Sequence, residues 1–239
     1  MSVSHANTLN DRELNALLDH ASRGPSPVVD HVKILLSFRA GLRAQEIAGL
    51  HWHRNVLGPS GQFRTQRMII PGEGKRRAKI CENPVLFIGS NIGKYGRERE
   101  IPMHSQLLAA LRDLLNLRTG HVAPEDRSEA DLIERLQATD YVIPPGRNGS
   151  SEVVAARANA MAVWFKRLYN GVDFALCSSH SGRRTFITAA ARTANLHGCS
   201  LVDVQALAGH AHLNTTQSYV GLSDKQMRMV EAMGRVDAK

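Results

Sequence analysis

Apolar residues along this chain recur mostly at three- and four-residue intervals, the spacing of one face of an α-helix. Residues 10–22 (NDRELNALLDHAS) begin with Asn10, a capping residue, and carry Glu13 three positions later. Leu14, Leu17 and Leu18 then form one apolar face, so a capped amphipathic helix is predicted. Residues 29–40 predict a second, strongly apolar helix that stops near Gly41. Residues 43–51 predict a short third helix, with Arg43 at its start and Ile47 and Leu50 inward. Residues 105–118 place Leu107, Leu108, Leu111, Leu114 and Leu115 on one stripe. Further helices are predicted near 128–138 and over 151–169, 181–194, 200–209 and 213–220. A last one covers 223–234, with Met227, Val230 and Met233 on one side.

The period changes between residues 62 and 103. Short apolar runs (Met68-Ile69-Ile70, Val85 to Ile88, Ile101-Pro102-Met103) alternate with Gly-rich basic turns. That pattern predicts a small antiparallel sheet. The fold class is therefore mainly α with a small antiparallel β-sheet. Segment 71–92 reads as an inserted loop with its own contact to a ligand. Residues 1–8 read as a flexible tail, 9–222 as one domain and 223–239 as a terminal helix and tail.

Composition narrows the class. At 239 residues with 43% hydrophobic content, the chain can bury a full core. No apolar run is long enough to span a bilayer, and the first residues lack an apolar signal core, which predicts an intracellular protein. Three cysteines, Cys81, Cys177 and Cys199, are too few and odd in number for a disulfide framework. The net charge of +8 favours a polyanionic partner. Basic residues cluster at 74–79, 93–99 and 182–184, making Lys75, Arg76, Arg77, Arg97, Arg99 and Arg184 candidate DNA contacts. Aromatics make up only 5%, which suits a reader of duplex backbone better than a platform for stacked single-stranded bases.

The last quarter holds reactive groups inside apolar, helix-like sequence: His180, Arg183, Gly209-His210 and Tyr219. Arg43 and Lys94 lie upstream. Cutting a DNA phosphodiester without metal needs a nucleophile, fixed cations on the non-bridging oxygens and an acid for the departing 5′ oxygen. Arginine offers a planar fork that never deprotonates. Lysine or histidine can deliver a proton. Tyrosine can attack, and its phenolate can leave again.

Four segments, AGLRAQEIAGLHW (40–52), GKYGREREIPM (93–103), HSGRRTFIT (180–188) and LAGHAHLNTTQSYV (207–220), resemble in order the signature boxes of the tyrosine recombinase (phage integrase) family. The resemblance runs from about residue 9 to the end. It implies the catalytic-domain fold of that family. Tyr219 would form a 3′-phosphotyrosyl link, while Arg43 and Arg183 clamp the scissile phosphate. Lys94 would be the general acid, and His180 would assist proton transfer. His210 would hydrogen-bond the phosphate, with Glu46 supporting Arg43. No metal, ATP or other cofactor is implied.

The implied partners are double-stranded DNA and other protomers, as a tetramer on two sites, with an accessory DNA-bending protein as a possible addition. A bacterial or phage origin is implied. The resemblance also implies a catalytic domain without the separate N-terminal core-binding domain, whether as a fragment or as a naturally short member. Gly182 and Arg184 stand where the family more often has Leu and His.

Two other outcomes share these residues: a topoisomerase-like nicking-closing enzyme, and a catalytically silent DNA-binding regulator. A zinc-dependent nuclease is a weaker rival, because Cys177-x-x-His180 with His197-x-Cys199 has a ligand-like spacing. Gly89-x-x-x-Gly93-Lys94 is too short for a phosphate-binding loop. His51 and His53, flanking Trp52, read as surface groups.

Overall fold

Capping and apolar spacing set the first helices close to where the pattern puts them. The computed structural model describes residues 7–70, 79–120, 140–144 and 154–219. Helix α1 spans Asp11–Ser22. The Asn10 side chain accepts from the Glu13 N–H, and the Glu13 carboxylate accepts from the Asn10 N–H. This reciprocal cap stabilises the first turn by about 1 kcal/mol. Helix α2 (Pro27–Arg39) starts on a proline whose missing N–H costs nothing there. Helix α3 (Ala44–Gly49) is one and a half turns long, and a π-turn at Trp52–Val56 follows it.

Strands β1 (Thr65–Ile70), β2 (Lys79–Ile88) and β3 (Arg99–Pro102) form one antiparallel sheet with β2 in the middle. The expected inserted loop over 71–92 is corrected here, since 79–88 is the central strand. Pro84 obscured this in the sequence. The first half of β2 pairs with β1 and the second half with β3, and Pro84 stands at the changeover, opposite Thr65. At that point one ladder ends and the other begins, so a residue with no N–H is tolerated.

Helix α4 (Ser105–Thr119) ends on Gly120 in the left-handed region. Then come α5 (Val154–Asn170), α6 (Ser181–Thr193), a 3₁₀ turn (Ala194–His197), α7 (Leu201–Ala208) and α8 (Leu213–Gln217). The predicted helices at 128–138 and 223–234, most of the loop at 144–149, and the basic run Lys75, Arg76 and Arg77 lie outside the described residues.

Two apolar clusters organise the chain. The larger joins α1, α2, α3, the sheet, α4 and α5 around Trp52, Phe165, Leu36 and Leu111. The smaller holds Ile187, Ala194, Val204 and Ala208, with Tyr219 packed against it. Helix α6 connects them: a Cβ on Gly182 would lie 2.4 Å from Ser37 Oγ and 2.7 Å from Phe38 Cδ2. Only glycine lets α6 approach α2 this closely. Leu9 is tied to the same helix through its N–H on Thr185 Oγ1.

His51 and His53 are not simple surface groups. Both ring Nδ1 atoms face the buried Asp140 carboxylate, and the His51 ring lies 4.2 Å from that of Tyr141. The Trp52 N–H donates to Asp140 O, which draws the turn against the strand-like segment at 140–143.

Candidate active site

The site forms where the two clusters meet. Gly41 ends α2 with φ +64°, and a Cβ there would lie 2.3 Å from the Phe186 ring. The turn it permits presents the Gly41 carbonyl to Arg183 and carries the chain to Arg43 at the start of α3. Arg183, 3% exposed, donates from Nη1 to Gly41 O (2.6 Å) and from Nη2 to Ala208 O (2.7 Å). These two carbonyls come from segments far apart in sequence, and they hold the fork rigid. Guanidinium carries five donors, so others remain for a ligand.

Glu46 is fully buried. It accepts from the Arg43 backbone N–H (2.8 Å) and from Arg43 Nη1 (2.9 Å). Arg99 reaches it from β3 with Nη1 on Oε1 and Nη2 on Oε2, both at 3.0 Å. Burial alone would raise the Glu46 carboxyl. The Arg99 hydrogen bonds, the charges of Arg99 and Arg43, and the Arg43 N–H outweigh it, so the pKa lies below the usual carboxylate value.

Arg99 was a candidate DNA contact in the sequence. Its side chain is only 6% exposed and its fork is spent on Glu46, so that reading is corrected. Thr216, which lies with Thr215 between His210 and Tyr219, carries no role in the sequence reading. It is fully buried, with its hydroxyl 2.9 Å from His210 Nδ1. Its place six residues after the histidine, in the same box, was the available signal.

Helix α7 ends on Gly209 at φ +64°, and this turn delivers His210 to the cluster. Burial pushes the His210 ring down to about 4, helped by the charges of Arg183, Arg43 and Arg99. The ring is therefore neutral near pH 7. Burial and the charges of Arg183, Arg43 and Lys94 also lower His180, which sits at the N-terminus of α6. Arg183 itself is lowered to about 10, chiefly by burial and then by Arg43. Three arginines thus surround one carboxylate, beside neutral imidazoles. A centre of this kind, poor in counter-charge, favours an anion.

Tyr219 completes the group. Its ring stacks on His210 with centroids 5.6 Å apart, and the Arg184 guanidinium lies 5.5 Å from its ring centroid. Lys94 stands slightly apart. It is exposed on the turn Lys94–Gly96, and its ammonium sits 4.9 Å from the Tyr95 ring. Gly49 positions that turn, because a Cβ there would strike Ile92 at 2.6 Å. Arg97 is exposed beside a groove of about 900 Å³ between β3 and α7, which ends at Gly209 and His210. Among the described residues, no group of three or more His, Cys, Asp or Glu is arranged to hold a metal ion, and no helix is long and apolar enough to cross a membrane.

Known proteins are similar to this chain in sequence and in fold. A tyrosine recombinase XerC of Mannheimia succiniciproducens is 24% identical over 231 residues, covering 97% of this chain and 62% of the relative. Another XerC, of Pelobacter propionicus, is 29% identical over 144 residues, covering 59% of this chain and 39% of the relative. The chain thus spans less than two thirds of the length of these curated relatives. Among solved structures, XerA recombinase is 20% identical with a TM-score of 0.59, covering 97% of this chain and 66% of that one. The Tn1549 transposon integrase in complex with transposon right end DNA is 17% identical with a TM-score of 0.59, covering 99% and 67%. These structures share the fold, mainly helical with a small antiparallel sheet. The Phage integrase family model matches residues 7–226, nearly the whole chain, and the protein belongs to that family.

Proposed function

We propose that this protein is a site-specific DNA recombinase that cuts and rejoins duplex DNA through a 3′-phosphotyrosine intermediate. The observation that carries this reading is the seating of Tyr219. Its ring stacks on His210, two residues after the Ala208 carbonyl that holds Arg183, and the Arg184 guanidinium lies 5.5 Å from its centroid. A nucleophile held beside fixed cations is what in-line attack on a phosphate requires.

The scissile phosphate enters the arginine cluster and is clamped by Arg43 and Arg183. His210, neutral and oriented by Thr216, hydrogen-bonds a non-bridging oxygen. Tyr219 Oη attacks phosphorus and gives up its proton with help from His180, whose lowered pKa leaves it free to accept one. The bond to the 5′ oxygen breaks, and Lys94 protonates that oxygen. To do so, the Lys94 amine leaves the face of Tyr95. The 5′ hydroxyl of a partner strand reverses the step, so the energy of the broken bond is conserved in the phosphotyrosine.

Residues 9–222 serve as the catalytic unit. Arg97, Lys75, Arg76 and Arg77 are DNA contacts in this reading. Strand exchange between two duplexes takes four protomers, with or without an accessory DNA-bending protein.

The test is covalent trapping on a nicked suicide duplex from the attachment region, with a chelator present. A denaturation-resistant adduct with the wild type and none with Tyr219→Phe is expected. Duplex binding without an adduct from either protein would favour a silent regulator.

A further inference from the structure

The residues that touch the phosphate in the proposed reaction are held by one that does not. From the position of Arg99 we infer that it is a positioning residue, which sets Arg43 for the scissile phosphate through Glu46 and aligns it with His210. This inference rests on the recombinase reading.

Arg99 has the anchorage the role requires. It opens β3 and pairs with Ile88 of β2. Its neighbours Leu86, Ile88 and Ile101 are fully buried in the large core, so its backbone is fixed by packing. Arg43 is held differently, with both its backbone N–H and its Nη1 bound to Glu46. It lies in the link between Gly41 and the short α3, and its side chain is 18% exposed. Glu46 transmits the constraint, since each carboxylate oxygen binds both an Arg99 nitrogen and an Arg43 nitrogen. A bidentate fork fixes the plane of a carboxylate as well as its distance.

The same side chain reaches the other half of the site. A Cβ on Gly209 would lie 2.9 Å from Arg99 Nη1, 3.1 Å from Cδ and 3.2 Å from Cζ. The Arg99 side chain therefore packs closely against Gly209, the residue just before His210. Arg99 thus joins the Arg43 segment, the His210 segment and the strand that leads back to Lys94, five residues earlier. A DNA-contacting role is not open to it in this geometry.

The experiment compares wild type, Arg99→Gln and Arg99→Lys in single-turnover adduct formation at saturating DNA. Two substrates are used: an ordinary scissile phosphate and a methylphosphonate, in which a methyl group replaces one non-bridging oxygen and removes the charge that arginine neutralises. Arg99→Gln is expected to lose about 10- to 100-fold on the phosphodiester, because small misplacements of clamping groups are costly. On the methylphosphonate the loss should shrink below about threefold, as it should for Arg43→Ala.

In an Arg43→Ala background, Arg99→Gln should add less than about threefold, since the two act as a unit. Arg99→Lys keeps the buried charge but not the fork, and serves if the glutamine variant does not fold. Its loss should be smaller and in the same direction. Equal losses on both substrates would overturn the inference in favour of plain structural support. A crystal structure of the folded variant needs no DNA. Displacement of Arg43 Nη1 from Glu46 Oε1 supports the inference, and an unmoved pair overturns it. Absence of any wild-type adduct would sink the recombinase reading, while that structure would still decide the role of Arg99.

Discussion

The ring of Tyr219 lies 5.6 Å from that of His210, with the two planes 24° apart, and Arg184 approaches the same tyrosine at 5.5 Å. The proposed nucleophile is thus seated against its own domain. Arg184 stands where relatives more often carry histidine, and this contact gives the departure a use. Removing a cation–π contact of this kind costs about 0.5–1 kcal/mol. Arg184→Ala is therefore expected to slow adduct formation about two- to fivefold at saturating DNA, and Arg184→Lys to keep most of the rate. If Arg184 instead binds a phosphate, the alanine variant will weaken duplex affinity and flatten its salt dependence. A salt titration of binding, run beside the rate, separates the two.

His210 should titrate at about 4 in the free protein, against an ordinary value of 6.5. The cause is burial together with three nearby arginines, so a bound phosphate, which offsets their charge, should move the titration upward. NMR of the imidazole signals with and without duplex DNA reads this directly. A stability consequence follows from the same shift. Between pH 6.5 and about 4 the unfolded chain takes up a proton that the folded ring refuses. The contribution of His210 is therefore fully present above pH 6.5 and is lost as pH falls toward 4. A His210→Gln variant should show a shallower fall in melting temperature across that window.

Glu46 is the buried counter-charge for two arginines, so Glu46→Ala should destabilise the fold by about 3–5 kcal/mol by leaving cations unpaired. Glu46→Gln keeps the shape and should cost less. The folded pKa of Glu46 is lowered, so its contribution is present above the ordinary carboxylate value and disappears as pH drops below it. Urea unfolding at pH 7 and at pH 3.5 checks both points. The gap between wild type and Glu46→Gln should narrow at the lower pH.

Gly41→Ala should be among the more damaging small substitutions. The position has φ +64°, and the added methyl would meet the Phe186 ring at 2.3 Å. Left-handed backbone strain costs a non-glycine residue about 1–3 kcal/mol before the clash is counted. Gly41 also supplies the carbonyl that holds Arg183. The variant is expected to lower the melting temperature. Where it remains folded, adduct formation should fall while nonspecific duplex affinity holds.

Much of the architecture was legible in the chain because its signals are local. The Asn10–Glu13 cap, the leucine stripe of α4 and the glycine stops at Gly41 and Gly209 act within a few residues, and the helices begin and end near them. The candidate residues were legible for another reason: four ordered boxes resemble a known family. The run Val85 to Ile88 was legible as strand, but the first half of β2, from Lys79, was not, because Pro84 interrupts the pattern between them. Whether a proline is tolerated depends on which neighbour each half of the strand finds, and that neighbour is distant in sequence.

The sequence by itself determined the mainly helical class, the place of the small sheet and the order of the reactive groups. These follow from spacing and backbone preference over short stretches. Tertiary structure alone decided what each basic residue does. Arg97 and Arg99 stand two apart on one turn and strand, equally basic in the sequence. One is exposed beside the groove, and the other is buried on Glu46 from a segment 53 residues away. Charge is a property of the residue, but burial and partnership come from the whole fold, so the chain supplies the cations and only packing distinguishes those left exposed from those that hold the site together.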